Sequence, residues 1–323
     1  MSKITAKELV RILGVSFSEF KRNEPLRLAG ATAFFTTFAL PPILIILVQI
    51  IGVLFSINNL SDKFFGHLAK LLGRQSAIQV RSTFLGFTSL AKNWFIAICG
   101  FIFLMFVATT LFKVIKDSIN QLWNVRAASK QPIKFQLASR AVSMIIILLA
   151  GILFLAAMMA EGLESFLHQY TGELERHAGT FLNTLVNQCI SVVIVTTWFA
   201  ILFKVLPDAK TSWKVVAAGG FFTGLLFTIG KIIIRYMLSF GNLTNIFGAS
   251  SSIVLLLLFV FYTSFILYYG ACFTKVYASF VHDPIQAAHY AIKYKMVEVK
   301  GHEVEATDEK QEARALPAKE QVK

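Results

Sequence analysis

Apolar residues gather along the chain in six long blocks, roughly Leu28 to Phe55, Trp94 to Ile115, Leu137 to Ala160, Leu182 to Leu206, Val215 to Phe240 and Ile253 to Tyr277. About 20 apolar helical residues cross a hydrocarbon core of about 30 Å, so each block is long enough to span a bilayer. The pattern predicts an all-α, polytopic membrane protein whose residues 28–277 form a bundle of six transmembrane helices. Pro41 and Pro42 fall in the first block, where they cannot extend the hydrogen-bond ladder and predict a helix kink.

The polar stretches carry a second pattern. In residues 1–27, Leu9, Leu13, Phe17 and Phe20 share one side of a helix while Lys3, Lys7 and Arg11 recur every four residues elsewhere. This predicts an amphipathic helix at the membrane interface, with an ordinary exposed basic helix as the alternative. After the first span, Phe64, Phe65, Leu68, Leu71 and Leu72, then Phe84, Phe87 and Leu90, predict further short interfacial helices. Residues 278–323 turn polar and end in a run rich in Glu, Lys and Ala, the composition of a largely disordered tail. The stretch Met1 to Arg27 lacks the features of a cleaved secretory signal, so the first span is expected to be the targeting signal.

Composition agrees with the blocks: 56% of the residues are hydrophobic and 15% charged, against roughly 45–50% and about 25% in soluble domains. The net charge of +13 suits nucleic acid or an anionic membrane, and the apolar blocks favour the membrane. Lys and Arg near span ends mark the cytoplasmic side. They crowd the N-terminal segment (Lys3, Lys7, Arg11, Lys21, Arg22, Arg27), the connection after the second span (Lys113, Lys116, Arg126, Lys130, Lys134, Arg140), the next loop on that side (Lys204, Lys210, Lys214) and the tail. The loop after the third span is acidic, and the one after the fifth has no charge from Gly241 to Ser252. Both termini are therefore expected in the cytoplasm. The first outer loop, with Lys63, Lys70, Arg74, Arg81 and Lys92, dissents, but long loops follow the rule poorly.

Several segments, in order, resemble one known family. They are Leu28-Ala29-Gly30-Ala31-Thr32-Ala33-Phe34-Phe35 leading to Leu40-Pro41-Pro42; Ile119-Asn120-Gln121-Leu122-Trp123; Val205-Leu206-Pro207-Asp208; the small-residue opening of the fifth span; Gly230-Lys231; and Asn242-x-x-Asn245-Ile246-Phe247-Gly248-Ala249. The chain resembles the YihY/BrkB family of bacterial inner-membrane proteins, once labelled ribonuclease BN. That resemblance implies a multi-pass protein of the bacterial cytoplasmic membrane, suspected of handling envelope lipids or other substrates. Two departures stand out: Gly270-Ala271-Cys272 replaces the family's common Gly-Ala-Glu, and Gly241 and Phe247 stand where tyrosines are common.

The old nuclease label finds no support in the residues. Metal-assisted phosphodiester cleavage needs clustered His and carboxylate ligands, and the 6 histidines include no His-x-His or His-x-x-x-His pair. His67, His168 and His177 are moreover expected outside. No Gly-x-x-x-x-Gly-Lys-Ser/Thr loop or Gly-x-Ser-x-Gly elbow occurs either, and Cys99, Cys189 and Cys272 lie unpaired in apolar runs. The sequence thus predicts no enzyme, catalytic residue, metal site, cofactor or nucleic-acid partner.

The fifth span holds the candidate chemistry. Gly220 and Gly224 form a small-x-x-x-small pair, read first as a close helix-packing surface. Lys231 and Arg235, four apart, share a face. Arg235 lies about 8 Å from the outer end of the span and can snorkel, whereas Lys231 lies about 14 Å in, where an exposed lysine costs about 2.5–3.5 kcal/mol. With Asn242 and Asn245 in the following turn they make a candidate site for an anion or lipid headgroup; solvation or pairing with carbonyls is the alternative. The predicted function is a transporter, or a cavity for an amphiphilic or anionic substrate such as envelope lipid. The alternative is a membrane scaffold that binds a cytoplasmic partner through its basic face. Anionic membrane lipids are the expected partners, and a homo-oligomer remains open.

Overall fold

The computed structural model describes residues 5–55, 94–127, 178–240 and 251–295, with scattered positions between 62 and 85 and between 141 and 153. The chain is mostly helical. Its long elements are α1 (Ala6–Arg22), α2 (Pro25–Phe55), α3 (Trp94–Leu122), α4 (Ala178–Val205), α5 (Trp213–Phe240) and α6 (Ser251–Phe280). Four short strands follow helix ends: β1 (Val125–Ala127), β2 (Ala209–Lys210), β3 (Gln286–Ala287) and β4 (Ala291–Lys293). Three apolar stretches are long enough to cross a membrane among the described residues: Gln188–Val205 in α4, Trp213–Ile234 in α5 and Ile253–Phe280 in α6. The predicted third span and the first outer loop fall largely outside the described residues.

Local chemistry sets the start of the chain. The Thr5 backbone N–H donates to the Glu8 carboxylate at 2.7 Å, the reciprocal half of a capping box, and Lys21 and Arg22 complement the dipole at the far end of α1. Glu24 adopts a left-handed φ of 51°, and Pro25 opens α2, where its missing N–H is no loss. The expected boundary at residue 28 thus lies three residues inside α2. The helix is continuous through Pro41 and Pro42, whose side chains lie outside the described residues.

The N-terminal helix is not merely laid on a surface. It buries Ile12, Ser16 and Phe20, a side rotated away from the expected Leu9 and Phe17, because α6 presents aromatic rings to it. Phe20 meets Phe265 edge-on at 4.7 Å and Phe17 meets Tyr269 at 6.1 Å, while the Tyr269 hydroxyl donates to the Leu13 carbonyl at 3.3 Å. Val10 and Phe17 remain 68% and 55% exposed.

The central helices close on one another through small residues. On α5, a Cβ added to Gly220 would stand 2.7 Å from the Thr196 carbonyl of α4, and one on Gly224 would stand 2.8 Å from the Thr196 Oγ1. The neighbouring side of α5 meets α6 at Gly219 and Gly230, which face Thr274 and Tyr262. What remains of the α5 surface is an exposed apolar stripe of Phe221, Leu225, Ile229, Ile232 and Ile233. Such a stripe suits lipid contact and not water.

Beyond α6 the polar chain does not leave the body at once. The expected tail boundary at 278 falls within α6, and residues 281–295 form a strap in which β3 pairs with β2 and β4 with β1, both antiparallel. Residues 296–323, where disorder is expected, lie outside the described residues.

Candidate functional site

The most developed polar arrangement lies at the end of the bundle where α3, the α4–α5 loop and the strap converge. Asp208, 3% exposed at its side chain, accepts an ion pair from Lys116 at 2.8 Å. Its other carboxylate oxygen accepts from Asn120 Nδ2 at 2.9 Å, and its backbone N–H donates to Asn120 Oδ1 at 2.8 Å. The Asp208 carbonyl in turn accepts from the Ala288 N–H of the strap at 3.0 Å. Burial, and the Asp208 carboxylate beside it, push the Tyr290 phenol above its ordinary range. A buried carboxylate is tolerable only when paired and hydrogen-bonded in this way.

A second set of bonds joins the N-terminal helix to the same end. Lys275 on α6 reaches Glu19 of α1 at 2.8 Å and the Asn124 side chain at 2.5 Å. Asn124 holds a left-handed φ of 56°, which asparagine tolerates, and turns the chain from α3 into β1. Beside it, the buried Trp123 indole donates to the Ala271 carbonyl of α6 at 2.9 Å. The N-terminal segment, the α3–β1 turn, the α4–α5 loop and the tail, which the charge count assigns to one side, are therefore linked in series through Lys275, the two strand pairs and the Asn120–Asp208 bonds.

Three of the sequence segments quoted above meet here: Asn120 and Trp123 from one, Asp208 from another, and Ala271 from the last span. No site role was expected of Asn120, Asp208 or Lys116. The signal available was an acidic residue and an asparagine set at the ends of apolar spans, but 88 residues separate them and no spacing rule connects them.

The predicted headgroup site is only partly in view. Lys231 is half-buried, and its spacing of seven from Gly224 puts it on the side of α5 that faces α4. It has an interaction partner within the chain. The side chain of Arg235, and Asn242 and Asn245 altogether, lie outside the described residues. His282 and His289 are exposed on the strap, apart from each other in chain position, and the remaining histidines are not among the residues whose surroundings are described.

The family described as virulence factor BrkB matches residues 16–290 of this sequence. The chain belongs to that family. Relatives carry the description UPF0761 membrane protein. One from Teredinibacter turnerae is 24% identical over 262 residues, covering 81% of this chain and 59% of the relative. One from Saccharophagus degradans is 23% identical, covering 84% and 60%, and one from Haemophilus influenzae is 26% identical, covering 80% and 90%. The chain thus spans about three-fifths of the length of the first two. No solved structure matches. Membership of the BrkB family and the apolar helices together make this a membrane protein.

Proposed function

We propose that the chain is a six-span protein of the bacterial cytoplasmic membrane, both termini inside, that offers a site to an anionic amphiphile such as an envelope lipid. The observation that carries the functional part is Lys231, a half-buried cation within the apolar stretch Trp213–Ile234, on the helix side that also carries Gly220 and Gly224. A cation kept at that depth is a functional-site hypothesis by default, because removing it would relieve an insertion cost. Arg235, Asn242 and Asn245 complete the proposed pocket toward the outer half. The proposal assigns no catalytic step, metal or cofactor.

Connectivity favours six spans. The contacts between the N-terminal helix, the α3–β1 turn, the α4–α5 loop and the strap bring them to one end of the molecule. Helix α4 runs about 40 Å toward that end, and the six-span reading assigns a return crossing to the sequence between Ala127 and Ala178. The block Leu137 to Ala160 is the stretch long enough to do so. Positive charge at this end orients it toward the cytoplasm.

Access is from the outer half or from the lipid. The glycine contacts of α5 leave little room between α4, α5 and α6, and the Lys116–Asp208–Asn120 cluster ties the loops across the basic end. The second reading, a scaffold, draws on the same end: Lys113, Arg126, Lys210, Lys214 and Lys295 are all exposed there. Mass spectrometry of lipid that stays with stringently purified protein separates the two. Retention of a defined anionic lipid supports the site, whereas protein that binds no lipid yet captures one cytoplasmic partner supports the scaffold.

A further inference from the structure

The last turn of α6 and the first half of α1 enclose a cleft of about 300 Å³ lined by Arg11, Ile12, Val15, Val276, Ser279 and Phe280. Its geometry is fixed by bonds on α1 that lie outside the lining: Lys275 to Glu19 and Tyr269 to the Leu13 carbonyl. Four of the six lining residues are apolar. The Ser279 hydroxyl already donates to the Lys275 carbonyl at 3.2 Å, which leaves Arg11 as the available donor.

Arg11 is exposed and makes no ion pair among the described residues. Glu8, one turn before it, would neutralise it, but its carboxylate is turned back to the Thr5 N–H and hydroxyl at 2.7 and 2.8 Å. Lys7, one turn from Arg11 on the same face, adds a second exposed positive charge. Depth matters as much as charge. Phe280 is the last residue of the apolar stretch Ile253–Phe280, so the cleft lies where the helix leaves the hydrocarbon, at the level of lipid phosphates.

We propose that this cleft binds an anionic phospholipid of the leaflet at the basic end of the bundle. The upper acyl chain lies against Val15, Val276 and Phe280, with the buried Ile12 as the floor behind them, and the phosphate takes the bidentate fork of Arg11. Lys7 and the surrounding positive charge select a lipid with net negative charge over a zwitterionic one. The site rests on the membrane-embedded reading of the chain and is separate from the pocket at Lys231.

The test is native mass spectrometry of the full chain with a mixture of phosphatidylglycerol and phosphatidylcholine. The wild type retains phosphatidylglycerol in preference, and inorganic phosphate does not displace it because the apolar walls contribute. Arg11→Gln lowers that retention about tenfold, the loss of one charge-assisted pair. Arg11→Lys keeps part of it, and its melting matched to Arg11→Gln separates charge from folding. Val15→Trp fills the cleft with the charge in place, and with Val15 46% exposed the fold need not give way; it lowers retention as well. Lys231→Met removes only the lipid of its own pocket and leaves the Arg11-dependent phosphatidylglycerol bound. Unchanged retention in Arg11→Gln overturns the proposal. A loss in Arg11→Gln but not in Val15→Trp also overturns it, since charge at an open surface then suffices. Loss of this lipid in Lys231→Met alone moves the site to Lys231.

Discussion

Gly219 of α5 and Thr274 of α6 lie so close that a Cβ built on the glycine would stand 2.9 Å from the threonine Cβ. The relationship is reciprocal: a Cβ on Gly270 of α6 would stand 2.9 Å from the Thr223 Cβ of α5. Each threonine donates to the carbonyl of the glycine four residues before it, Thr223 to Gly219 and Thr274 to Gly270, both at 2.7 Å. A Gly-x-x-x-Thr unit on each of two antiparallel helices thus interlocks with its counterpart. Both threonine hydroxyls are satisfied within their own helices, so these two donors can sit in an apolar seam.

Gly219→Ala is therefore expected to destabilise the bundle by about 1–3 kcal/mol through overpacking. Thr274→Ala in the same chain removes the Oγ1 and Cγ2 that the new methyl meets, keeps the Cβ, and should restore part of that loss. Thermal unfolding in detergent of both single variants and the double variant measures the coupling. Additive losses would mean that the two residues do not meet.

Asp208 is expected to be a keystone of the basic end. Lys116→Met leaves its buried carboxylate without an ion-pair partner, a loss of about 3–5 kcal/mol for a buried pair, whereas the exposed Arg27–Glu24 pair is worth at most about 1 kcal/mol. Hydrogen exchange should rise first in residues 286–293, because the strap bonds to the Asp208 carbonyl and to β2 beside it. Equal effects from disrupting the two pairs would contradict this ranking.

The two patterns in the sequence were legible to different depths. Spans are readable because each apolar block covers a bilayer by itself, and three of the blocks coincide with apolar stretches of α4, α5 and α6. Gly220 and Gly224 stood out because four-residue spacing sets small residues on one helix side, and the structure places both against α4. The Asp208–Asn120–Lys116 cluster was not readable, since its members come from two separate helix ends and only the fold brings them together. Strands of two or three residues leave no alternation to detect, so the strap read as unstructured chain. The rotation of α1 is not legible in the sequence for a third reason. Its apolar residues are more numerous than one face can bury, and contact with Phe265 and Tyr269 decides which are covered.

The start of α1 should be sensitive to acid. Hydrogen bonds from the Thr5 backbone and hydroxyl hold the Glu8 carboxyl below the ordinary glutamate range. A depressed folded-state value stabilises the cap above the unfolded value of about 4.3, and that contribution disappears as pH falls through the lowered one. Amide exchange in the first turn of α1 should accelerate over that acidic window. Glu8→Gln should flatten the response, and an unchanged profile in that variant would assign the acid sensitivity to another group.

Six spans with a cytoplasmic basic end predict a definite labelling pattern. Single cysteines near Lys210 and near His289 should resist a membrane-impermeant reagent added to intact cells, and cysteines near Glu173 and Asn245 should react. Labelling of the Lys210 loop from outside would reverse the orientation, and labelling near Glu173 from inside alone would remove the crossing assigned to Leu137–Ala160.

The central claim is that Lys231 serves an anionic amphiphile and not only the packing of α5. Its most direct measurement is the lipid that remains bound to Lys231→Arg, Lys231→Met and Lys231→Glu chains purified alongside the wild type. Lys231→Met relieves an insertion cost but also removes the side chain's interaction within the chain, so lipid is compared among variants whose melting matches the wild type. Retention of the lipid bound in the Lys231 pocket should fall in the order wild type, Arg, Met, Glu, with the reversed charge weakest. Normal expression of all three variants with undiminished lipid at that pocket would contradict the claim and leave Lys231 as a structural cation.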